Sequence, residues 1–164
     1  MVAPDELRTR AEALLSLYRA KGARIATAES CTGGLIVATL TEIAGSSDVV
    51  DRGFVTYSNE AKTDLIGVPG ALLAAHGAVS AEVAEAMVRG ALTRSVANAA
   101  VAVTGIAGPG GATATKPVGL VYLAVQRRDG KPIVERQVFA GDRAGVRLAT
   151  VARAFDLLEQ AINA

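Results

Sequence analysis

The order of elements legible in the sequence predicts an α/β protein, a three-layer α/β/α sandwich on a mixed, mainly parallel sheet of about five strands. Three observations carry this. The all-apolar run Ala99 to Val103 reads as a strand buried on both faces, as in parallel sheets. Amphipathic segments, with apolar residues three and four apart, alternate with such short runs. With no Trp, three Tyr and three Phe, a chain that is 51% hydrophobic must build its core from Ala, Val, Leu and Ile. At 164 residues it suits one domain, residues 1–164, able to bury a core without disulfides or metals.

Each element has its own signal. Leu7, Ala11, Leu14 and Tyr18 predict a helix from Pro4 to Ala20, with Asp5 and Glu6 at the end its dipole favours and Gly22 as the stop. Arg24 to Ala28 is a short strand, followed by a helix from Gly33 to Ile43 that Gly45-Ser46-Ser47 ends. Val49 to Tyr57 alternates loosely and reads as a strand. Ser58 is an N-cap for a helix from Asn59 to Ile66, which Gly67 closes. Pro69 to His76 is a further helical turn, and Ser80 caps a helix to about Ser95. That helix carries a core stripe of Val83, Ala84, Met87, Val88, Ala91 and Leu92. Val118 to Arg127 and Pro132 to Ala140 are strands joined around Asp129-Gly130, a hairpin signal. Gly141-Asp142 opens the last helix, in which Leu148, Val151, Phe155, Leu158 and Ile162 keep the three-four spacing.

Composition removes several function classes. Net charge is +1 with acids and bases interspersed, so no surface is marked for nucleic acid or membrane. The longest uncharged stretch, Ser95 to Thr115, holds Asn98, Gly105, Gly108 and Pro109, and reads as a strand entering a loop. Asp5, Glu6, Arg8 and Arg10 stand where a signal peptide needs an apolar core, so a cytoplasmic location is expected. One cysteine and one histidine leave neither a disulfide framework nor a zinc site of the Cys/His kind.

Ligands of open α/β sheets bind beyond the carboxyl ends of the strands. Two predicted strands end in polar, glycine-bearing turns, Ser30-Cys31-Thr32-Gly33-Gly34 and Thr104-Gly105 with the loop to Gly111. If parallel and adjacent, they face one crevice. The first turn suits a hydroxyl nucleophile beside an oxyanion site, and equally a capped helix start. The second is neither a dinucleotide fingerprint nor a P-loop, since its glycines are spaced otherwise and no Gly-Lys-Ser/Thr occurs. A serine nucleophile needs a base. His76, between Ala75 and Gly77, reads as a helix-end residue, whereas Lys62 lies early in a short helix whose dipole lowers a lysine pKa. Tyr57, at the preceding strand end, could relay a proton or fix the amine. Cys31 is a rival nucleophile at the same turn, and Arg143 and Arg147, one helical turn apart, could meet a phosphate.

Five blocks in order sharpen this reading: Ala28-Glu29-Ser30-Cys31-Thr32-Gly33-Gly34, Val55-Thr56-Tyr57-Ser58-Asn59 with Ala61-Lys62, His76-Gly77-Ala78-Val79-Ser80, Val103-Thr104-Gly105-Ile106-Ala107-Gly108-Pro109-Gly110-Gly111 and Lys116-Pro117-Val118-Gly119. Together they resemble the CinA C-terminal domain family, the nicotinamide-nucleotide amidohydrolases, across about residues 5 to 160. Ala112 and Ala114 depart from a loop that is often richer in glycine or acidic residues. Longer members carry a further N-terminal domain, and this chain is expected to be the stand-alone form. The resemblance implies hydrolysis of the carboxamide of nicotinamide mononucleotide to nicotinate mononucleotide and ammonia, in pyridine nucleotide (NAD) salvage, without cofactor or metal. It implies Ser30 as nucleophile, Lys62 as base and Tyr57 as helper. Thr32, Gly33, Gly34, Thr104, Gly105, Ile106, Ala107, Gly108 and Arg143 are then the expected substrate contacts. Within this set, backbone N–H groups near Thr32-Gly33 or Gly105 hold the oxyanion, Thr104 to Gly108 the ring and ribose, and Arg143 the phosphate. A nucleotide-binding module without turnover, and an amidase for another amide, remain the alternatives; homo-oligomerisation is left open.

Overall fold

Five strands and six helices alternate along the chain in the computed structural model, which describes residues 1–164. Their order is α1 (Asp5–Ala20), β1 (Ile25–Glu29), α2 (Leu35–Thr41), β2 (Val50–Val55), α3 (Asn59–Ile66), α4 (Gly70–His76), α5 (Ala81–Thr93), β3 (Ala99–Gly105), β4 (Leu120–Arg127), β5 (Ile133–Val138) and α6 (Arg143–Asn163), with one 3-10 turn at Ser46–Asp48. The sheet order is β2-β1-β3-β4-β5. β1 pairs in parallel with β2 and β3, while β4 is antiparallel to β3 and β5 to β4. Four of the five strands therefore point the same way, and β4 alone is reversed. The expected mixed sheet, including the hairpin at Asp129-Gly130, is what forms.

The period-two alternation of β3 sorts its side chains between two cores. Ala99, Val101 and Val103 join α1, α2 and α6 on one face, and Ala100 and Ala102 join α3, α4 and α5 on the other. Alanines facing α5, including Ala26, Ala28 and Ala124, bring that helix layer close to the sheet. The approach is tighter still where α5 crosses the end of α3. A Cβ on Gly90 would sit 1.9 Å from the main-chain oxygen of Ile66, with no flexible atom to give way. Gly90→Ala is accordingly expected to cost about 3 kcal/mol, the upper range for an overpacked core. An unchanged urea midpoint would show that α3 and α5 part freely.

Helix boundaries follow local chemistry. Ser58 and Ser80 cap α3 and α5 by accepting from the N–H groups of Ala61 and Val83, and Gly67 closes α3 at φ 68°. The helix expected from Gly33 begins only at Leu35, because Gly33 and Gly34 adopt φ 59° and 98°, outside the right-handed helical region. No helix is long and apolar enough to cross a membrane. Because β1, β2 and β3 are parallel neighbours, Ser30, Thr56 and Gly105 emerge together at one edge of the sheet.

Candidate active site

The turn after β1 is built around a carboxylate. Glu29 closes a strand that is buried throughout and whose only other polar side chain is Thr27. Its Oε1 accepts from Thr32 Oγ1 at 2.6 Å and from the Ile36 N–H at 2.8 Å, and its Oε2 accepts from the Val37 N–H at 3.0 Å and Thr27 Oγ1 at 3.3 Å. Two free N–H groups at the start of α2 are thereby satisfied from the preceding strand, and no side chain at the N-cap position does this. The main chain is pinned as well. The Ser30 N–H donates to the Val103 carbonyl at 3.1 Å, and the Gly33 N–H returns to the Ser30 carbonyl at 3.0 Å. Arg147 Nη2 donates to the Thr32 carbonyl at 2.8 Å from the far side.

Ser30, so held, faces Lys62. Lys62 is 1% exposed, on the inner face of α3, and its Nζ lies 3.0 Å from Ser30 Oγ. The amine also donates to the carbonyls of Thr56 at 2.7 Å and Tyr57 at 3.3 Å. No carboxylate pairs with it among its polar contacts, and burial lowers its pKa below the ordinary lysine value near 10.5. A neutral amine has two N–H bonds and one lone pair. The two closest carbonyls take the N–H groups, which leaves the lone pair for the Ser30 hydroxyl.

Both residues open into a cavity of about 290 Å³, whose wall also includes Cys31, Tyr57, Thr104, Gly105 and Arg143. Ile106, Ala107 and Gly108, from the expected loop, line it too, as do Ala78 and Val79. Thr104 is 1% exposed and its hydroxyl donates to the Ala78 carbonyl at 2.9 Å, so its lone pairs remain to accept from a ligand amide. Arg143 spans the mouth, donating to the Gly108 carbonyl at 2.9 Å and to the Tyr57 hydroxyl at 3.1 Å. The Cys31 N–H reaches no main-chain carbonyl, and Cys31 lines the cavity beside Ser30. This is the residue-after-nucleophile position that supplies an oxyanion donor in other serine hydrolases. No group of three or more His, Cys, Asp or Glu side chains is placed to hold a metal ion.

Several expectations are revised by this geometry. Thr32, Gly33 and Gly34, expected as substrate contacts, do not line the cavity. Thr32 is fully buried with its hydroxyl on Glu29 and the Gly33 N–H is spent on Ser30, whereas the Thr32 N–H reaches no main-chain carbonyl. Tyr57 reaches the amine with its carbonyl, while its ring is 61% exposed and its hydroxyl is engaged by Arg143. Arg147 is absent from this cavity wall, its guanidinium donating to the Thr32 carbonyl, but it lines an adjoining cavity together with Arg143, Ala107 and Pro109. Burial pushes the Cys31 thiol up to about 11, which keeps it protonated at neutral pH and unreactive. His76 ends α4 outside the cavity, near Glu82. Glu29, the buried acid around which this turn is built, was not singled out from the sequence. Its signal was an acid at the end of a strand otherwise fit for full burial.

Known proteins are similar to this chain over the whole fold. The CinA C-terminal domain model matches residues 7–162. The crystal structure of the competence/damage inducible protein CihA from Agrobacterium tumefaciens superposes with a TM-score of 0.94 at 51% identity, covering 98% of each chain. The nicotinamide-nucleotide amidohydrolase PncC of Escherichia coli is 48% identical over 156 residues, 95% of this chain and 94% of that protein. A CinA-like protein of Geobacter sulfurreducens is 52% identical over 148 residues, and there the chain spans only 36% of the relative's length. A match of this extent, on a sheet edge that gathers Ser30, Lys62 and the Thr104 loop, places the chain in the CinA C-terminal domain family.

Proposed function

We propose that this chain, as one domain over residues 1–164 and in the cytoplasm, hydrolyses the carboxamide of nicotinamide mononucleotide, giving nicotinate mononucleotide and ammonia. The observation that carries the reading is the buried Lys62 amine 3.0 Å from Ser30 Oγ, with no acid beside it to hold a proton. The activity named for the Escherichia coli relative, which matches nearly end to end, supplies the substrate. Neutral Lys62 takes the Ser30 proton as Oγ attacks the amide carbon, which the cationic pyridinium ring makes more electrophilic. The Cys31 N–H donates to the developing oxyanion. Lys62 then gives its proton to the amide nitrogen, the C–N bond breaks and ammonia leaves, with the nicotinoyl group esterified to Ser30. Water, deprotonated by the same amine, attacks the ester, and that proton returns to Ser30 as the nicotinic acid group departs and then ionises to the carboxylate, giving its proton to solvent. Thr104 accepts from the amide nitrogen, and Arg143 at the mouth meets the phosphate.

The test is to incubate the chain with nicotinamide mononucleotide and measure both products. Equal amounts of ammonia and nicotinate mononucleotide are expected. Tight binding without either product would leave a nucleotide-binding module, and faster release from another amide would reassign the substrate while keeping the chemistry.

A further inference from the structure

The nucleophile turn is gripped from two sides at a residue that does not line the cavity. Thr32 hands its hydroxyl to Glu29 at 2.6 Å and its carbonyl to Arg147 at 2.8 Å. Glu29 belongs to the strand, and Arg147 to the first turns of α6, so the grip joins the sheet to the last helix. Neither residue lines the cavity of Ser30 and Lys62, and Thr32 does not either. A fully buried carboxylate with four donors, none of them cationic, is costly to desolvate, and capping a seven-residue helix is a small return for it. The main chain of Glu29 is tied in too, its carbonyl accepting from the Thr56 N–H at 2.8 Å, and the Thr56 carbonyl holds Lys62 Nζ at 2.7 Å. The same residue thus fixes the nucleophile turn through its side chain and the base through its neighbour.

Resting on the acyl-transfer reading above, we infer that Glu29 and Arg147 are positioning residues: they clamp Thr32 so that Ser30 Oγ and the Cys31 N–H are held in attack geometry before substrate arrives. The clamp acts on the chemical step: none of its members lines the Ser30–Lys62 cavity, while Arg147 lines an adjoining one with Arg143 and Ala107, so the split between kcat and KM is read at Glu29 and Thr32. Small displacements of reacting groups are sufficient to matter; about 1 Å can cost about 100-fold in rate.

Glu29→Gln keeps the shape and loses one acceptor oxygen. It is expected to lower kcat for nicotinamide mononucleotide by about 100-fold with KM changed less than about threefold. Thr32→Val, which removes only the clamped hydroxyl, is expected to show the same split, and Thr32→Ser to restore kcat to within about threefold of wild type. This pair also serves if Glu29→Gln does not fold. Because both arms hold one peptide, Glu29→Gln combined with Arg147→Gln should be little worse than the more damaged single variant. The second readout is the rate at which a fluorophosphonate modifies Ser30, which needs nucleophile and oxyanion donor but no amide substrate. Slowed modification in Glu29→Gln and Thr32→Val, with wild type reactive, supports the clamp even if nicotinamide mononucleotide proves not to be the substrate. Wild-type modification rates and kcat in both variants, or losses that multiply in the double variant, overturn it.

Discussion

Ser30→Ala is expected to abolish ammonia release, lowering kcat by about 10⁴-fold or more, as removal of the attacking hydroxyl does in other serine hydrolases. The fold should be untouched, because the Ser30 hydroxyl makes one contact, to Lys62, and the turn is pinned through main-chain groups and Glu29. Binding of nicotinamide mononucleotide should survive as well, since the Thr104 loop and Arg143 remain. The matching control is Cys31→Ala. Its thiol is held protonated by burial, and alanine keeps the main-chain N–H, so activity should stay within about tenfold of wild type, the scale of a small packing change. Calorimetric titration with the nucleotide, beside the ammonia assay, separates lost chemistry from lost binding. If Cys31→Ala were as inactive as Ser30→Ala with its fold retained, the acyl group would have to sit on sulfur.

What could be read from the sequence was local. Ser58 and Gly67 bracket the helix that carries Lys62, and Ser80 starts α5, because caps are fixed by residues within one turn. Thr104-Gly105 at the end of an all-apolar strand pointed to the right sheet edge for the same reason. The contact between Ser30 and Lys62 could not be read that way. The two are separated by a helix and a strand, and meet only because β2 lies in parallel beside β1. Helix position made Lys62 a candidate base and family resemblance paired it with Ser30, but neither gave the distance between them. The place of Thr32, Gly33 and Gly34 was ambiguous in the sequence for a related reason. Glycines beside a candidate nucleophile fit close ligand approach and a left-handed turn equally, and only the buried carboxylate of Glu29 shows that the turn is what they serve. Arg147 was invisible as a clamp because its target lies at the other end of the sequence.

Lys62→Met should lower kcat by about 10³-fold or more, within the range that general bases contribute, and Lys62→Arg should do no better because a guanidinium cannot give up its proton. In wild type the requirement for a neutral amine makes kcat rise with pH through the Lys62 pKa, which burial places below the ordinary 10.5. The same shift appears in stability, with a definite sign. Between the lowered folded value and 10.5, the unfolded chain binds the lysine proton and the folded chain does not, so folding releases it. Wild-type stability relative to Lys62→Met therefore rises with pH across that window, by at most about 1.4 kcal/mol per pH unit. Below the folded value the penalty is complete and constant; above 10.5 it is gone. Urea titrations of both proteins from pH 6 to 10, beside a kcat profile over the same range, make the comparison. The midpoint of the rise in kcat/KM, taken from the same profile, and the onset of the stability slope should coincide, since both report one proton on the amine of the free enzyme. Parallel stability curves with a flat kcat profile would mean that Lys62 keeps its proton, and the base would have to be sought elsewhere in the cavity.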